Sequence, residues 1–385
     1  MIYPINIKNS SDLLAITQKI QTDPRAFAYL SPKSNILHFY GEHVDYRAAA
    51  FLKQELLARG GDTIVTKHVI DGKSDFSDVL LMATPSQLKS LLEKLKSMDC
   101  WGLKQLREEL TQAFANICVN NWSIGKKLKL DSDTKLMAII NLTPDSFHEA
   151  SRVKESEILD RAEKFLSQGA AILDLGAEST RPGFEPVDVN TELERLIPAL
   201  KILRKKFPDA IISVDTYKSE VARIAVAEGA DIINDISGFE FDNKMPELIS
   251  QLGVPYVLSH FQKEQPSCEN ILSAMIKYFS SKLQILYDLG IKRENLILDP
   301  GLGFGKTPED NFAIIKNLES LKIFGLPILV GHSRKRFTGK NLFATVALSG
   351  MLYGRANVLR VHDVEENVKA LEMAKNLNDV KKLCL

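Results

Sequence analysis

The sequence has few cysteines, and those it has are far apart. The 385 residues contain four, at positions 100, 118, 268 and 384. Their spacing gives neither the close pairs of a zinc site nor the framework of a secreted, disulfide-stabilised domain. Residues 1–12 also lack a basic and then apolar secretory pattern. We therefore expect a protein of the reducing cytoplasm.

Neither sign of charge is in excess, because 49 Lys and Arg residues balance 49 Asp and Glu residues. This balance argues against the strongly basic surface that binds nucleic acid or anionic membranes. The sequence also lacks an apolar run close to the roughly 20 residues that a membrane-spanning helix needs. We expect no nucleic-acid partner and no membrane association, whereas a local basic pocket is compatible with the composition.

What the sequence does contain, from residue 136 onward, is an alternation of short apolar runs and longer amphipathic segments, which is typical of parallel strands covered by helices. The runs that predict strands are Leu136–Ile140, Ala171–Leu175, Ala210–Val214, Asp231–Ile233, Pro255–Leu258, Leu296–Leu298, Pro327–Val330 and Val358–Leu359. Eight βα units in about 250 residues predict a TIM (β/α)8 barrel. A doubly wound open sheet is the alternative, but the expected Gly-x-Gly-x-x-Gly turn does not follow the first run.

The first 125 residues have a different pattern and predict a smaller α/β domain. Strands are predicted at Ile36–Tyr40, Thr63–Ile70 and Asp78–Ala83, and helices at Tyr46–Arg59, Pro85–Lys96 and Leu103–Phe114. The predicted domains are therefore residues 1–125 and residues 126–385. The connection near residues 115–135 is expected to add a strand-like piece that closes the barrel bottom. The smaller domain has no clustered nucleophile, metal ligands or phosphate loop, so we expect a structural or self-association role.

Short polar side chains follow several of the predicted barrel strands, at the ends where such barrels carry their active sites. Asp215, Asn234 and Asp299 offer carboxylate and amide groups suited to the donor and acceptor edge of a flat, nitrogen-rich heterocycle. Each residue alone is equally well explained by capping a helix or satisfying a strand end. The occurrence of all three at one end of the barrel favours a common ligand.

A second set of polar residues is basic and follows strands 7 and 8, where this fold commonly binds phosphate. It contains Ser333, Arg334, Lys335, Arg360 and His362. Any one of these charges is most simply a solvated surface group, but hydroxyl, backbone N–H and guanidinium groups in one place predict an anion site. Asn141, at the end of the first strand, is a candidate oxygen ligand for a Mg²⁺ that bridges a diphosphate.

Seven motifs, in order along the chain, resemble those of dihydropteroate synthase. They are NLTPDSF (Asn141–Phe147), DLGAESTRPG (Asp174–Gly183), SVDTYK (Ser213–Lys218), INDISG (Ile233–Gly238), LDPGLGFGKT (Leu298–Thr307), GHSRK (Gly331–Lys335) and RVHDV (Arg360–Val364). The resemblance covers residues 136 to about 380. It implies condensation of 6-hydroxymethyl-7,8-dihydropterin diphosphate with p-aminobenzoate, with Mg²⁺, to give 7,8-dihydropteroate and diphosphate in folate biosynthesis. It also implies a homodimer, and the first 125 residues resemble an extension of long-form members.

The resemblance further implies roles for individual residues. The pterin would be held by Asp215, Asn234, Asp299 and Lys335. Diphosphate and its metal would be held by Asn141, Arg360 and His362. The diphosphate or p-aminobenzoate side would be shaped by Thr180, Arg181, Pro182, Phe147, Phe304 and Ser333. The candidate catalytic residues are Lys335, Arg360 and Glu149, the last of which stands where the family usually has aspartate.

In the implied reaction diphosphate departs first and the arylamine then attacks the pterin methylene, so no protein nucleophile is required. The chain departs from the family pattern at His148–Ser151, where paired glycines are missing, and at Ser259–Phe261, where the family usually has a methionine–histidine–methionine type segment. Two other functions fit the barrel. One is a pterin-binding scaffold without synthase activity. The other is a methyltetrahydrofolate:corrinoid methyltransferase, which would not need the anion site.

Overall fold

The computed structural model describes residues 7, 10–125, 127–131, 133–142, 151–178, 186–262 and 270–378. The chain forms two compact units, of which the first ends at Ala115 and the second extends over Asn116–Asn378. The predicted connection near residues 115–135 therefore lies almost entirely within the second unit. The division into domains of residues 1–125 and 126–385 stays a prediction.

In its described residues, the first unit contains a three-stranded antiparallel sheet and five α-helices. The strands are β1 (Leu37–Asp45), β2 (Asp62–Ile64) and β3 (Phe76–Ala83), in the order β1-β3-β2. The helices are α1 (Ser10–Lys19), α2 (Phe27–Leu30), α3 (Tyr46–Leu57), α4 (Pro85–Leu95) and α5 (Leu103–Asn116). Alternate residues of β3 are buried against leucines of α3 and α4, which is the pattern of a sheet covered on one face.

The predicted strand Thr63–Ile70 is wrong beyond Ile64. Lys67–Val69 forms a 3₁₀ turn, which buries Val69 while Ile70 is exposed. The backbone N–H of Thr66 donates to Ser77 Oγ at 2.9 Å instead of joining the ladder. A side chain thus replaces the strand partner at this point, and the apolar residues alone did not reveal it.

The second unit begins with an antiparallel hairpin and continues as the predicted barrel. The hairpin strands are β4 (Trp122–Ile124) and β5 (Leu128–Leu130). The barrel strands are β6 (Lys135–Asn141), β7 (Ile172–Gly176), β8 (Ile211–Asp215), β9 (Ile232–Asp235), β10 (Tyr256–Ser259), β11 (Leu296–Asp299), β12 (Leu329–Val330) and β13 (Val358–Val361). They form one parallel sheet in the order β11-β10-β9-β8-β7-β6-β13-β12, and a parallel bridge between Leu298 and Ile328 joins its two ends. The TIM-barrel prediction is confirmed.

Helices cover the barrel. They are α6 (Ser151–Ser167), α7 (Val189–Lys206), α8 (Ser219–Ala227), α9 (Met245–Leu252), α10 (Ile271–Asp288), α11 (Pro308–Lys316), α12 (Leu342–Leu352) and α13 (Val364–Asn378). α9 is only eight residues long, and the nearly continuous apolar composition of α12 hides its helical periodicity in the sequence. In the described part of the chain, no helix has the length and apolar character needed to cross a membrane.

The interior of the barrel is layered because alternate strand residues face inward. The lowest layer is one apolar cluster formed by Met137, Ile172, Ile232, Val257, Ile297, Leu329 and Val358. Ile124, Leu128 and Leu130 of the hairpin belong to the same cluster, so the hairpin closes the barrel bottom. Two residues further along the strands, the inward positions include Asp174, Ser213, Asn234, Ser259, Asp299 and Arg360. The barrel therefore places a polar layer directly above an apolar plug.

Candidate functional site

The polar layer brings together residues that are far apart in the chain. In the strand registers, Asp174 lies beside Ser213, Asp215 lies beside Asn234, and Ser259 lies beside Asp299. Asp215 and Asp299, which the sequence selected, end β8 and β11, and Asn234 is the last residue but one of β9, so all three lie at the same end of the barrel. These three candidates belong to one site.

Arg360, on β13, is the cation at the centre of this site. Its Nε donates to Asp174 Oδ2 at 2.6 Å, and its Nη2 donates to Asp215 Oδ2 at 2.5 Å. The three side chains are 17%, 0% and 6% exposed, respectively. Charge-assisted bonds of this kind fix the guanidinium plane. Asp174 was missed as a site residue, although a carboxylate within the apolar run Ala171–Leu175 was a signal for it.

Burial sets the protonation of the carboxylates in this layer. It raises the pKa of Asp215 to about 7, and the neighbouring Arg360 opposes that rise. Burial also raises the pKa of Asp299, while its Oδ1 accepts a bond from the backbone N–H of Gly301 at 2.8 Å. Perturbed carboxylates of this kind are typical of functional sites.

Several oxygen atoms of the layer are available to a ligand. Within the described residues, Asp174 Oδ1, Asp215 Oδ1, Asn234 Oδ1, Ser213 Oγ and Ser259 Oγ are buried and have no hydrogen-bond partner. Buried polar atoms are normally paired, because an unpaired one costs about 1–3 kcal/mol. Such a concentration of unpaired acceptors is explained by a ligand that supplies donors.

Lys335 and Phe304 form the adjacent wall of the site. The Lys335 ammonium lies 4.2 Å from the centroid of the Phe304 ring, a cation–π distance. Burial lowers the pKa of Lys335 to about 8, and the nearby carboxylates of Asp299 and Asp215 oppose that effect. The structure therefore brings both predicted residues to the pocket, with Lys335 as a cation close to its titration range.

Lys306 is a further residue that sequence reasoning left without a role. Its Nζ donates to the carbonyl oxygens of His260, Gly301 and Phe304 at 3.0, 2.9 and 3.1 Å. It therefore ties the segment after β10 to the segment after β11, next to Phe304. The glycines between them are required, because a Cβ on Gly301 would lie 2.1 Å from the carbonyl oxygen of His260. The feature of the sequence that could have indicated this role is a lysine at the end of a glycine-rich turn.

The predicted anion residues are only partly brought together. Ser333 Oγ lies 3.0 Å from His362 Nδ1, and the backbone N–H of His362 also donates to Ser333 Oγ. Arg334 is different, because its guanidinium is exposed and forms an ion pair with Asp363 at 2.5 Å. The role of Arg334 in the anion site stays a prediction.

A buried cluster fixes the rim beside β7. Glu178 accepts bonds from Tyr217 Oη at 2.9 Å and from Lys218 Nζ at 2.5 Å, and Lys218 also binds Glu192 Oε2 at 2.6 Å. The backbone N–H of Val187 donates to Glu178 as well. One lysine thus bridges two buried carboxylates and links the segments that follow β7 and β8.

The remaining candidates follow β6 or β7 in the sequence, except Asn141, which ends β6. Phe147, Glu149, Thr180, Arg181 and Pro182 lie outside the described residues. Asn141 ends β6 at an inward position and pairs in register with Gly176. Its amide supplies the hard oxygen atom that Mg²⁺ prefers, and one protein oxygen is enough for an ion that keeps waters and binds phosphate. Among the residues that the structure describes, no group of three or more His, Cys, Asp or Glu side chains could hold a metal ion.

Comparisons with known proteins agree with this geometry. Residues 137–362 match the family model described as pterin binding enzyme. Dihydropteroate synthase of Clostridium beijerinckii is 37% identical over 260 residues, which are 65% of this chain and 96% of that protein. The bifunctional dihydropteroate synthase/dihydropteroate reductase of Helicobacter pylori is 33% identical over 388 residues, or 96% of this chain and 98% of that protein.

Solved structures give the same result. A dihydropteroate synthase from Clostridium difficile, solved in the presence of pteroic acid, is 35% identical with a TM-score of 0.61, over 66% of this chain and 98% of that chain. The Xanthomonas albilineans dihydropteroate synthase with 4-aminobenzoic acid is 34% identical with a TM-score of 0.60, over 66% of this chain and 96% of that chain.

Proposed function

We propose, from the premise that this chain belongs to the dihydropteroate synthase family of pterin-binding enzymes, that its barrel joins a pterin diphosphate to an arylamine. The substrates are 6-hydroxymethyl-7,8-dihydropterin diphosphate and p-aminobenzoate, and the products are 7,8-dihydropteroate and diphosphate. The observation that carries this proposal is the layer of buried acceptors at the barrel mouth, beside the Lys335–Phe304 wall, that have no hydrogen-bond partner among the described residues. That layer suits a flat heterocycle rich in N–H donors.

In this proposal the pterin lies on the polar layer. Asp215 and Asn234 accept from its ring and amino N–H groups, and Asp299 binds the same heterocycle from β11. Lys335 covers the ring edge next to Phe304. Arg360 holds Asp215 in place through its ion pair. The same guanidinium is proposed to stabilise the negative charge that develops on the leaving diphosphate. Such fixed charges act without rearranging during the reaction.

The diphosphate and its metal are proposed to be held by Asn141, Arg360 and His362. The diphosphate or arylamine side is proposed to be shaped by Thr180, Arg181, Pro182, Phe147, Phe304 and Ser333, with Glu149 as a candidate catalytic residue. Mg²⁺, held by Asn141 and the diphosphate, would neutralise charge on the leaving group. The C–O bond to diphosphate breaks, and the amine nitrogen then forms a C–N bond with the pterin methylene. The amine proton leaves with the diphosphate, so the chain positions both reactants but supplies no nucleophile.

The purified full-length chain tests this function directly. With pterin diphosphate and Mg²⁺, we expect diphosphate release that depends on p-aminobenzoate and equals the dihydropteroate formed. Removal of Mg²⁺ with a chelator should lower the rate. Pterin binding without turnover would contradict the synthase and support a binding scaffold. Methyl transfer from methyltetrahydrofolate to a corrinoid protein, without diphosphate release, would support the methyltransferase alternative.

The Lys335→Arg variant is expected to change the pH dependence of pterin binding. Because burial lowers the pKa of Lys335 to about 8, the wild type loses its ammonium as the pH rises through that value. Its affinity should then fall by up to about tenfold per pH unit, whereas a guanidinium stays charged. Fluorescence titration with 6-hydroxymethylpterin from pH 6.5 to 9.5 measures both proteins. Ligand ionisation affects the Kd of both proteins equally, so comparing them at each pH cancels its effect. Lys340→Arg is the surface control. Identical profiles would exclude Lys335 as the titrating group.

A second activity is proposed for the full chain, because the similarity to the bifunctional Helicobacter pylori protein extends over 96% of it. We infer that the first unit contributes to a dihydropteroate reductase activity. Such a reaction adds a hydride and a proton to dihydropteroate, so it needs a hydride donor. The assay above, supplemented with a reduced nicotinamide nucleotide with or without flavin, should then yield tetrahydropteroate. Synthase turnover without reduction under all these conditions would contradict the second activity.

A homodimer is proposed from the family resemblance, and a location in the cytoplasm from the wide spacing of the cysteines. Light scattering at enzyme concentrations used for the assay should give twice the chain mass. A single-chain mass at those concentrations would contradict the dimer.

A further inference from the structure

We propose that Ser259 contacts the exocyclic amino group of the pterin and so contributes to pterin recognition. This inference rests on the proposed function and assigns a specific contact within the same site. Ser259 stands at a point where the chain departs from the usual family segment, so its hydroxyl is a feature of this sequence.

The position of Ser259 follows from the alternation along β10. Val257 belongs to the apolar plug at the barrel bottom, whereas Tyr256 and Leu258 belong to the outer cluster that packs on the helices. Ser259 is two residues beyond Val257 and therefore faces inward. In register it lies beside Asp299 of β11.

The surroundings of Ser259 show that its backbone and its side chain serve different purposes. Its carbonyl oxygen accepts a bond from Tyr278 Oη at 3.1 Å, so the backbone is held from the outer side. Its side chain is fully buried, and within the described residues its Oγ has no hydrogen-bond partner. A hydroxyl that is buried without a partner destabilises the empty protein unless a ligand satisfies it.

The neighbours of Ser259 indicate which part of the ligand it meets. In register Ser259 lies beside Asp299 of β11, whereas Asn234 of β9 pairs with Val257, two residues before Ser259. β10 lies between β9 and β11, so these three side chains come from three neighbouring strands. Acceptor groups on three neighbouring strands suit the edge of a pterin that carries the N3–H and the 2-amino group, since that edge concentrates its donors. We assign the Ser259 hydroxyl, next to Asp299, to the amino group.

A thermodynamic cycle between protein and ligand tests the contact. The probes are 6-hydroxymethylpterin and its 2-desamino analogue, and calorimetry measures the Kd of each for the wild type and for Ser259→Ala. We expect Ser259→Ala to raise the Kd for the pterin about 5- to 10-fold, as for loss of one hydrogen bond. For the analogue without the amino group, the Kd should change less than about twofold. Equal losses for both ligands would overturn the assignment.

Two further measurements separate a contact from a structural role. Because Ser259→Ala removes an unpaired buried hydroxyl, its melting temperature without ligand should be equal to or higher than that of the wild type; a lower value would indicate a structural bond. Ser250→Ala is the control, since that hydroxyl is bound to the Leu289 carbonyl outside the site. If Asn234→Ala weakens pterin binding and Ser259→Ala does not, only this inference fails. If the wild type does not bind the pterin, the proposed function fails.

Discussion

The Asp215→Ala variant is expected to bind 6-hydroxymethylpterin about 100-fold more weakly than the wild type. One carboxylate oxygen of Asp215 is held by Arg360, and the other is buried without a partner among the described residues. The variant therefore loses an ionic acceptor for the ligand, a bond worth about 1.5–3 kcal/mol, and leaves a donor of the pterin unpaired. Calorimetric titration measures the change in Kd.

The control for Asp215 is a carboxylate that forms a similar ion pair away from the site. Glu220 pairs with Arg223 at 2.6 Å, and both side chains are about half exposed. Glu220→Ala should leave the Kd for the pterin unchanged. Far-UV circular dichroism checks that each variant is folded. A folded Asp215→Ala protein with wild-type affinity, beside an Asn234→Ala protein with weakened affinity, would remove Asp215 from the pterin site.

The barrel was predictable because its strands are buried on both faces and appear as short apolar runs. The runs indicated the strands but not their ends. Asn141, Asp215 and Asp299 each extend their strand one residue beyond the apolar run, because an inward-facing polar residue still continues the ladder. The same alternation that defines the core therefore also brings candidate residues from several strands to one end of the barrel.

The contacts between these residues were not predictable from local pattern. Asp174 and Arg360 are 186 positions apart, and their ion pair depends on closure of the barrel between β6 and β13. Arg334 and Lys335 are adjacent in sequence, yet the first is exposed and the second lies in the pocket. A positive φ of 55° at Arg334 accompanies this divergence. The composition of a motif does not predict that the side chains of two neighbouring cationic residues point in different directions.

Replacing Arg360 with methionine is expected to lower both stability and turnover. It leaves Asp174 and Asp215 buried without their counter-charge, and breaking a buried pair in this way costs about 3–5 kcal/mol. Burial already raises the pKa of Asp215 to about 7 from 3.8, and losing Arg360 removes an opposing influence. Because the folded pKa of Asp215 is raised, its protonation contributes stability that is fully present below the unfolded pKa and is lost as the pH rises through the folded pKa. The stability deficit should therefore be larger at pH 7.5 than at pH 5, measured by urea unfolding.

A second substitution separates the structural role of Arg360 from its catalytic one. Removing the charge of Asp174 in the Arg360→Met/Asp174→Asn variant should recover part of the lost stability, because fewer buried charges then lack a partner. Arg223→Met, which breaks an exposed pair, should leave the free energy of unfolding nearly unchanged. If Arg360 also stabilises the departing diphosphate, turnover stays low in the stabilised double variant. Turnover that returns together with stability would mean that Arg360 acts only by holding the carboxylates, and the charge facing the diphosphate would have to come from another residue.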